Sequence, residues 1–202
     1  MHIIPALTSD EIDDLLYFVR VNEKQDLEQT IAGLSQKYQC SNKDVLEASV
    51  DPESGNTTLH YCAANGLSDL LPILLSHLQS HTSTTSNSKS PVSNFISQTN
   101  KEGNTPLHWG AYNGHLETVK QLVAAGGDIW AKNSAGHLAM FEAERADKAD
   151  VVQFLLEAGG KEVEKAGIEG QAGADDVEDE DTEDHDGASS GVPVRSEDVE
   201  MR

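Results

Sequence analysis

Residues 103–126 read Gly-Asn-Thr-Pro-Leu-His-Trp-Gly-Ala-Tyr-Asn-Gly-His-Leu-Glu-Thr-Val-Lys-Gln-Leu-Val-Ala-Ala-Gly. Thr105 suits a helix N-cap. Pro106 suits the first helical position, where a missing N–H would have no intrahelical partner anyway. Asn113-Gly114 tolerate positive φ and end that helix. Leu116, Val119, Leu122 and Val123 then recur at helical spacing and predict a second, amphipathic helix. Ala124-Ala125-Gly126-Gly127 stop it. Two helices this short cannot bury an apolar face alone, so the unit requires copies of itself.

The copies are present. Gly55-Asn56-Thr57-Thr58-Leu59-His60 opens the same plan, and Gly136-His137-Leu138-Ala139-Met140-Phe141 opens it in degenerate form. Gly103 and Gly136 are 33 residues apart, whereas Gly55 and Gly103 are 48 apart, a surplus of 15. A period of 33 with Thr-Pro-Leu-His at the start of the first helix resembles the ankyrin repeat. The resemblance implies an all-α, short solenoid of helix-turn-helix units joined by hairpin loops.

Working outward, Thr8 or Ser9 can cap a helix near Asp10 with Ile12, Leu15, Leu16, Phe18 and Val19 on its apolar face. A break at Val21–Gln25 leads to a second helix over about Asp26–Lys37. This pair lacks the glycine-rich hairpin and reads as an N-terminal capping repeat over 9–50, with a short extra helix near Asn42–Ala48. Full repeats follow at about 51–95, 96–128 and 129–160. In the first, helices are expected at Thr58–Asn65 and Ser68–His81, with Pro72 harmless in the first turn. The serine- and threonine-rich stretch 80–93 cannot bury enough apolar surface to order itself and accounts for the surplus. The third repeat, with helices at Leu138–Ala146 and Ala149–Ala158, has lost Thr-Pro and reads as a C-terminal cap. Residues 1–161 are thus one domain and 162–202 a disordered acidic tail. Asp175–Asp186 carries nine acids in twelve residues.

Charge narrows the function. Net charge is −21, of which residues 162–202 supply −12 and residues 1–161 supply −9. Nucleic acid is disfavoured as a direct partner, since phosphate contact needs clustered Lys and Arg; a basic protein is favoured. The two cysteines, Cys40 and Cys62, make no disulfide framework and fit a reducing compartment. No apolar run approaches a membrane span, and Met1–Leu7 lacks the pattern of a signal peptide.

No catalytic, metal or cofactor site is expected. His60 and His108 hold the same place in the motif, where the ankyrin resemblance implies structural hydrogen bonds between repeats. His77 and His81 are four apart but have no nearby Cys or carboxylate to complete a zinc site. Cys62 reads as core. No glycine-rich phosphate loop or nucleophile elbow appears.

Lys101-Glu102-Gly103-Asn104-Thr105-Pro106-Leu107-His108-Trp109, Asn113-Gly114, Gly136-His137 and Phe141-Glu142-Ala143-Glu144 are more particular. They resemble the small fungal ankyrin proteins that chaperone small-subunit ribosomal protein S three. The insertion and the Val21–Gln25 turn depart from that pattern. The resemblance implies a non-enzymatic chaperone, cytoplasmic and nuclear; an array capped at both ends is expected to be a monomer. It would hold the N-terminal region of a newly made basic ribosomal protein soluble for ribosome assembly, with import or assembly factors as further partners. The alternative is a general ankyrin adaptor in signalling or transcription; a histone-directed acidic chaperone shares the charge logic only.

In such an array the hairpin tips and the exposed face of the first helices form a concave surface. Aligned repeats give three columns there: Tyr61, Trp109 and Glu142; Ala64, Tyr112 and Arg145; and Asn65, Asn113 and Ala146. Large aromatics are favoured anchors because they bury area at little entropy cost. Tyr61, Trp109, Tyr112 and Trp130 are therefore expected to bind, with Asn65, Asn113 and Arg145 beside them. Glu102, Asp128, Glu142 and Glu144 would meet a basic client, adding association rate and selectivity that salt weakens.

Overall fold

The computed structural model describes residues 4–79 and 95–168, of which 162–168 are described by backbone alone. The helices are α1 (Ser9–Val21), α2 (Lys24–Tyr38), α3 (Asn42–Ala48), α4 (Thr58–Ala64), α5 (Leu71–Gln79), α6 (Pro106–Asn113), α7 (Leu116–Ala124), α8 (Ala139–Arg145) and α9 (Ala149–Ile168). Four of them form an inner row, in which α4 packs on α1 and α6, and α6 packs on α8. Behind them α2, α5, α7 and α9 form an outer row, with α3 between α2 and α5. Leucines fill the space between the rows: Leu15, Leu27, Leu46, Leu59, Leu74 and Leu122 are all fully enclosed. The chain is an all-α solenoid, and among the described residues its only extended pairings are the isolated bridges Val50–Thr57 and Lys132–Leu138.

Local chemistry explains the boundaries. Thr8 is the N-cap of α1 and forms a capping box with Glu11, whose carboxylate accepts from the Thr8 N–H at 2.8 Å. Lys37 reaches the same carboxylate at 2.6 Å and the Tyr38 hydroxyl donates to it at 2.8 Å. The Lys37 contact, with these hydrogen bonds, holds Glu11 down at about 2. The break after α1 is shorter than the sequence suggests. Asn22 adopts the left-handed conformation, its N–H bonds back to Phe18 and Val19, and α2 begins two residues later. α5 starts at Leu71, not Ser68, because Leu67–Leu70 turn before the helix and leave Pro72 at its second position.

α9 departs most from expectation. It runs through Gly159-Gly160 to Ile168, seven residues into the stretch assigned to the tail. The insertion at 80–93 and the acidic block lie outside the described residues.

The loops before α4, α6 and α8 share one construction. Asp51, Asn100 and Asn133 each fold a side-chain oxygen back onto backbone N–H groups of their own turn, at 2.8–3.3 Å. The turns also join one another. Lys101 N–H donates to Ser54 O and Ser134 N–H to Glu102 O, both at 3.0 Å. Asn100 Nδ2 donates to Asn56 Oδ1 and Asn133 Nδ2 to Asn104 Oδ1, both at 2.9 Å. This closeness requires Gly103: at φ +76° a Cβ there would stand 2.6 Å from the Ser134 nitrogen.

His60 and His108 rivet the inner row. The Thr57 N–H donates to His60 Nδ1 at 3.0 Å, so Nε2 carries the proton and donates to Asn104 O at 2.8 Å. His108 repeats this with the Thr105 N–H at 3.2 Å and His137 O at 3.0 Å. Burial pushes His60 down to about 4 and lowers His108, although the carbonyl partners favour the charged forms. The unfolded chain therefore takes up protons first. The stability these rings contribute is complete above about pH 6.5 and is lost as pH falls toward 4. For His60 alone, unfolding at pH 5 is expected to be easier by about 2 kcal/mol than at pH 7.5, readable as a lower urea midpoint. Glu11, and Asp51 at about 2, act in the same direction only below about pH 4.5.

Candidate functional site

The inner row exposes one pocket of about 150 Å³, bounded by Glu102, Asn104, Trp109, Tyr112, Glu142 and Arg145, with His108 behind. α6 supplies Trp109 and Tyr112 one helical turn apart, so both rings face the groove, and α8 supplies Glu142 and Arg145 in the same way. Tyr112 is 44% exposed and Trp109 is half-buried. The Arg145 guanidinium lies 5.8 Å from the Tyr112 ring centroid. A second such pair, Arg20 over Tyr61 at 5.2 Å, stands further along the inner row. The Tyr61 hydroxyl donates to Asp51 at 2.6 Å. Burial would raise the Asp51 carboxyl, but Tyr61, Ser54 and two backbone N–H groups hold it down at about 2.

The face is less acidic than the sequence suggests. Glu142 is only 6% exposed and fully engaged: it accepts from Arg145 at 2.6 Å and from Asn133 at 3.0 Å, and lies 3.0 Å from His137 Nδ1. Burial would raise its carboxyl, but these partners lower it below the usual range. Glu142 thus positions Arg145 and the last hairpin, while Glu102 remains an exposed carboxylate. Asn65 and Asn113 also hold the frame: their amides donate to Arg20 O at 3.4 Å and Ala64 O at 3.0 Å. These are helix-end carbonyls that lack intrahelical partners.

The remaining expected residues stand elsewhere. Asp128 shapes the turn before Trp130, accepting from its backbone N–H at 2.9 Å. Trp130 faces a separate groove beside Ile129, Leu138, Met140, Leu155 and Leu156. Glu144 lines another depression with Asp147, Lys148 and Val152. Arg20, Asn100 and Asn133 went unpredicted. A signal for the two asparagines was available, since each lies three residues before a hairpin glycine. Burial lifts the Cys62 thiol to about 12 within the core. No group of metal-ligating side chains is found among the described residues.

Stacked helix pairs with ladder-linked turns and an aromatic concave pocket define a helical-repeat protein. The chain belongs to the ankyrin-repeat family, whose model of three copies matches residues 19–133 and 86–166. It is 30% identical over 114 residues to the yeast ankyrin repeat-containing protein YAR1 of Saccharomyces cerevisiae, covering 56% of this chain and 54% of that protein. It is 27% identical over 165 residues to the chicken (Gallus gallus) nuclear factor NF-kappa-B p105 subunit, covering 78% of this chain and 16% of that one. A 53-residue stretch, 26% of this chain, is 42% identical to the probable E3 ubiquitin-protein ligase XBOS33 of rice (Oryza sativa subsp. japonica) and covers 10% of that protein. The chain thus spans about half of YAR1 and a small part of the other two. Its structure is similar, with a TM-score of 0.65 and 30% identity, to a chain in the crystal structure of the yeast ribosomal protein Rps3 in complex with its chaperone Yar1. That match covers 75% of this chain and 94% of the other.

Proposed function

We propose that this protein is a non-enzymatic chaperone of small-subunit ribosomal protein S3, Rps3, that keeps it soluble and escorts it from cytoplasm to nucleus for assembly. The observation that carries this reading is the similarity to the Rps3–Yar1 structure over nearly the whole of the matched chain. The concave pocket gives it a mechanism: Trp109 and Tyr112 take apolar side chains of a client segment, in this reading the N-terminal region, while Glu102 meets its Lys and Arg. The −11 of residues 169–202 screens the remaining positive surface.

Co-expression with Rps3, followed by affinity purification and gel filtration, tests it. A soluble one-to-one complex that weakens as salt rises is expected. Aggregation of Rps3 as it behaves alone, with nothing co-eluting at low salt, would remove this client. The similarity to the p105 subunit over 78% of the chain favours a second reading, an adaptor for an unrelated protein. An adaptor should tolerate deletion of residues 169–202.

A further inference from the structure

The last repeat presents the polar outer face usual of a terminal repeat only in part: Gln153 and Glu157 are exposed, but so are Trp130 and Leu156. Trp130 is 51% exposed and Leu156 57%, and between them runs a groove of about 380 Å³ with Leu138, Met140 and Leu155 in its walls. Among the described residues, none of the side chains lining it is ionisable. Its floor is Gly159-Gly160, two glycines inside α9, where each costs about 1 kcal/mol relative to alanine. The first has a steric reason, since a Cβ at Gly159 would meet the Trp130 ring at 3.2 Å. A Cβ at Gly160 would meet nothing, so its absence bares backbone to whatever lies in the groove.

We propose that this groove is the docking surface for the protein's own C-terminal segment, residues 191–194, Gly-Val-Pro-Val. The segment is tethered beside it. From Gly160 to the end of α9 is about 12 Å of helix. The 22 residues from 169 to 190 then reach about 70 Å when extended, several times what a return requires. Within 169–202, residues 187–194 form the longest stretch free of charge, suiting a groove whose described lining carries no charge. Val-Pro-Val favours an extended backbone, and proline-centred segments dock in aromatic-walled apolar grooves. Charge selects the end: Lys132 and Lys161 are exposed and lie within two residues of Trp130 and Gly160 in sequence, whereas the neighbouring depression beyond Leu156 carries Glu144, Asp147 and Glu157 with Lys148. Tethering gives a high effective concentration, so a short weak segment suffices.

The test uses the isolated protein, so its failure is separate from failure of the Rps3 reading. The chain has two tryptophans, and their indole N–H resonances are assigned with Trp130→Phe. Full-length V192D/V194D is expected to move the Trp130 indole resonance and leave that of Trp109 in place. In a Trp109→Phe background, acrylamide quenching of Trp130 should rise roughly two- to three-fold as the ring returns to water. An unmoved Trp130 resonance and unchanged quenching overturn the proposal. So does protection that vanishes on dilution with a dimer on gel filtration, which would assign the groove to a second copy. The resonance shift does not depend on the Trp109→Phe variant folding.

Discussion

His108→Ala should lower the stability of the array by about 3 kcal/mol, and the loss should fall on its C-terminal third. The ring is 2% exposed and joins two elements far apart in sequence, accepting from the Thr105 N–H and donating to His137 O. Alanine leaves the Thr105 N–H without its acceptor, at a cost of about 1–3 kcal/mol where water cannot replace the ring, takes from His137 O one of its two donors (the Asn133 N–H remains, at 2.9 Å), and opens a cavity between α6 and α8. Domains commonly hold about 5–15 kcal/mol in all, so the change is large. Because each layer of a solenoid touches only its neighbours, α8 and α9 should open first while α1–α5 keep their protection. Hydrogen exchange followed by mass spectrometry reads this directly: amides of 138–161 should exchange at lower urea than those of 9–79. His60→Ala should move the break to the interface between α4 and α6. A shift under about 1 kcal/mol, or uniform loss of protection, would mean that the histidines are passengers in a core held by leucines.

The fold was legible because its signals are local and repeated. Thr105-Pro106 fixes a helix start by a cap and a restricted φ, Gly114 fixes the end with a φ of +79°, and the same spacing recurs one period later. The site was legible only in part. Helical periodicity correctly sends Trp109 and Tyr112 to one face, because both ride on α6. It cannot say that Glu142, in the same column as Trp109, turns inward. That depends on Arg145 one turn later and on Asn133 arriving from the preceding hairpin. Trp130 is a loop residue whose direction is set by a contact with Gly159, 29 positions away. Repeat alignment carries no information about such a contact. The reading of α9 as ending at its glycines failed for a similar reason. Glycine lowers helix propensity by about 1 kcal/mol, a cost that the close packing of Gly159 against Trp130 and Ile129 opposes.

Removing the exposed Tyr112 ring of the concave pocket should separate binding from folding. Tyr112 is 44% exposed, has the Arg145 guanidinium 5.8 Å from its ring centroid, and can be cut to alanine with little change in melting temperature. A single aromatic anchor at the centre of an interface is worth about 2 kcal/mol, so Tyr112→Ala should weaken Rps3 binding about 30-fold. Trp109 is half-buried and its loss affects both terms, which makes the double variant informative only beside the single one. If both rings bury against the client, Trp109→Ala/Tyr112→Ala should fall at least about 100-fold, with the excess over Tyr112→Ala exceeding any loss of stability. The loss should lie mainly in the dissociation rate, because the contact is short-ranged and apolar. Glu102→Gln supplies the contrast. An exposed carboxylate acts from a distance, so its removal should slow association at low salt and leave dissociation nearly untouched. Full affinity in the double variant, with circular dichroism unchanged, would take the client off the concave face and leave the tail and the outer helices to hold it.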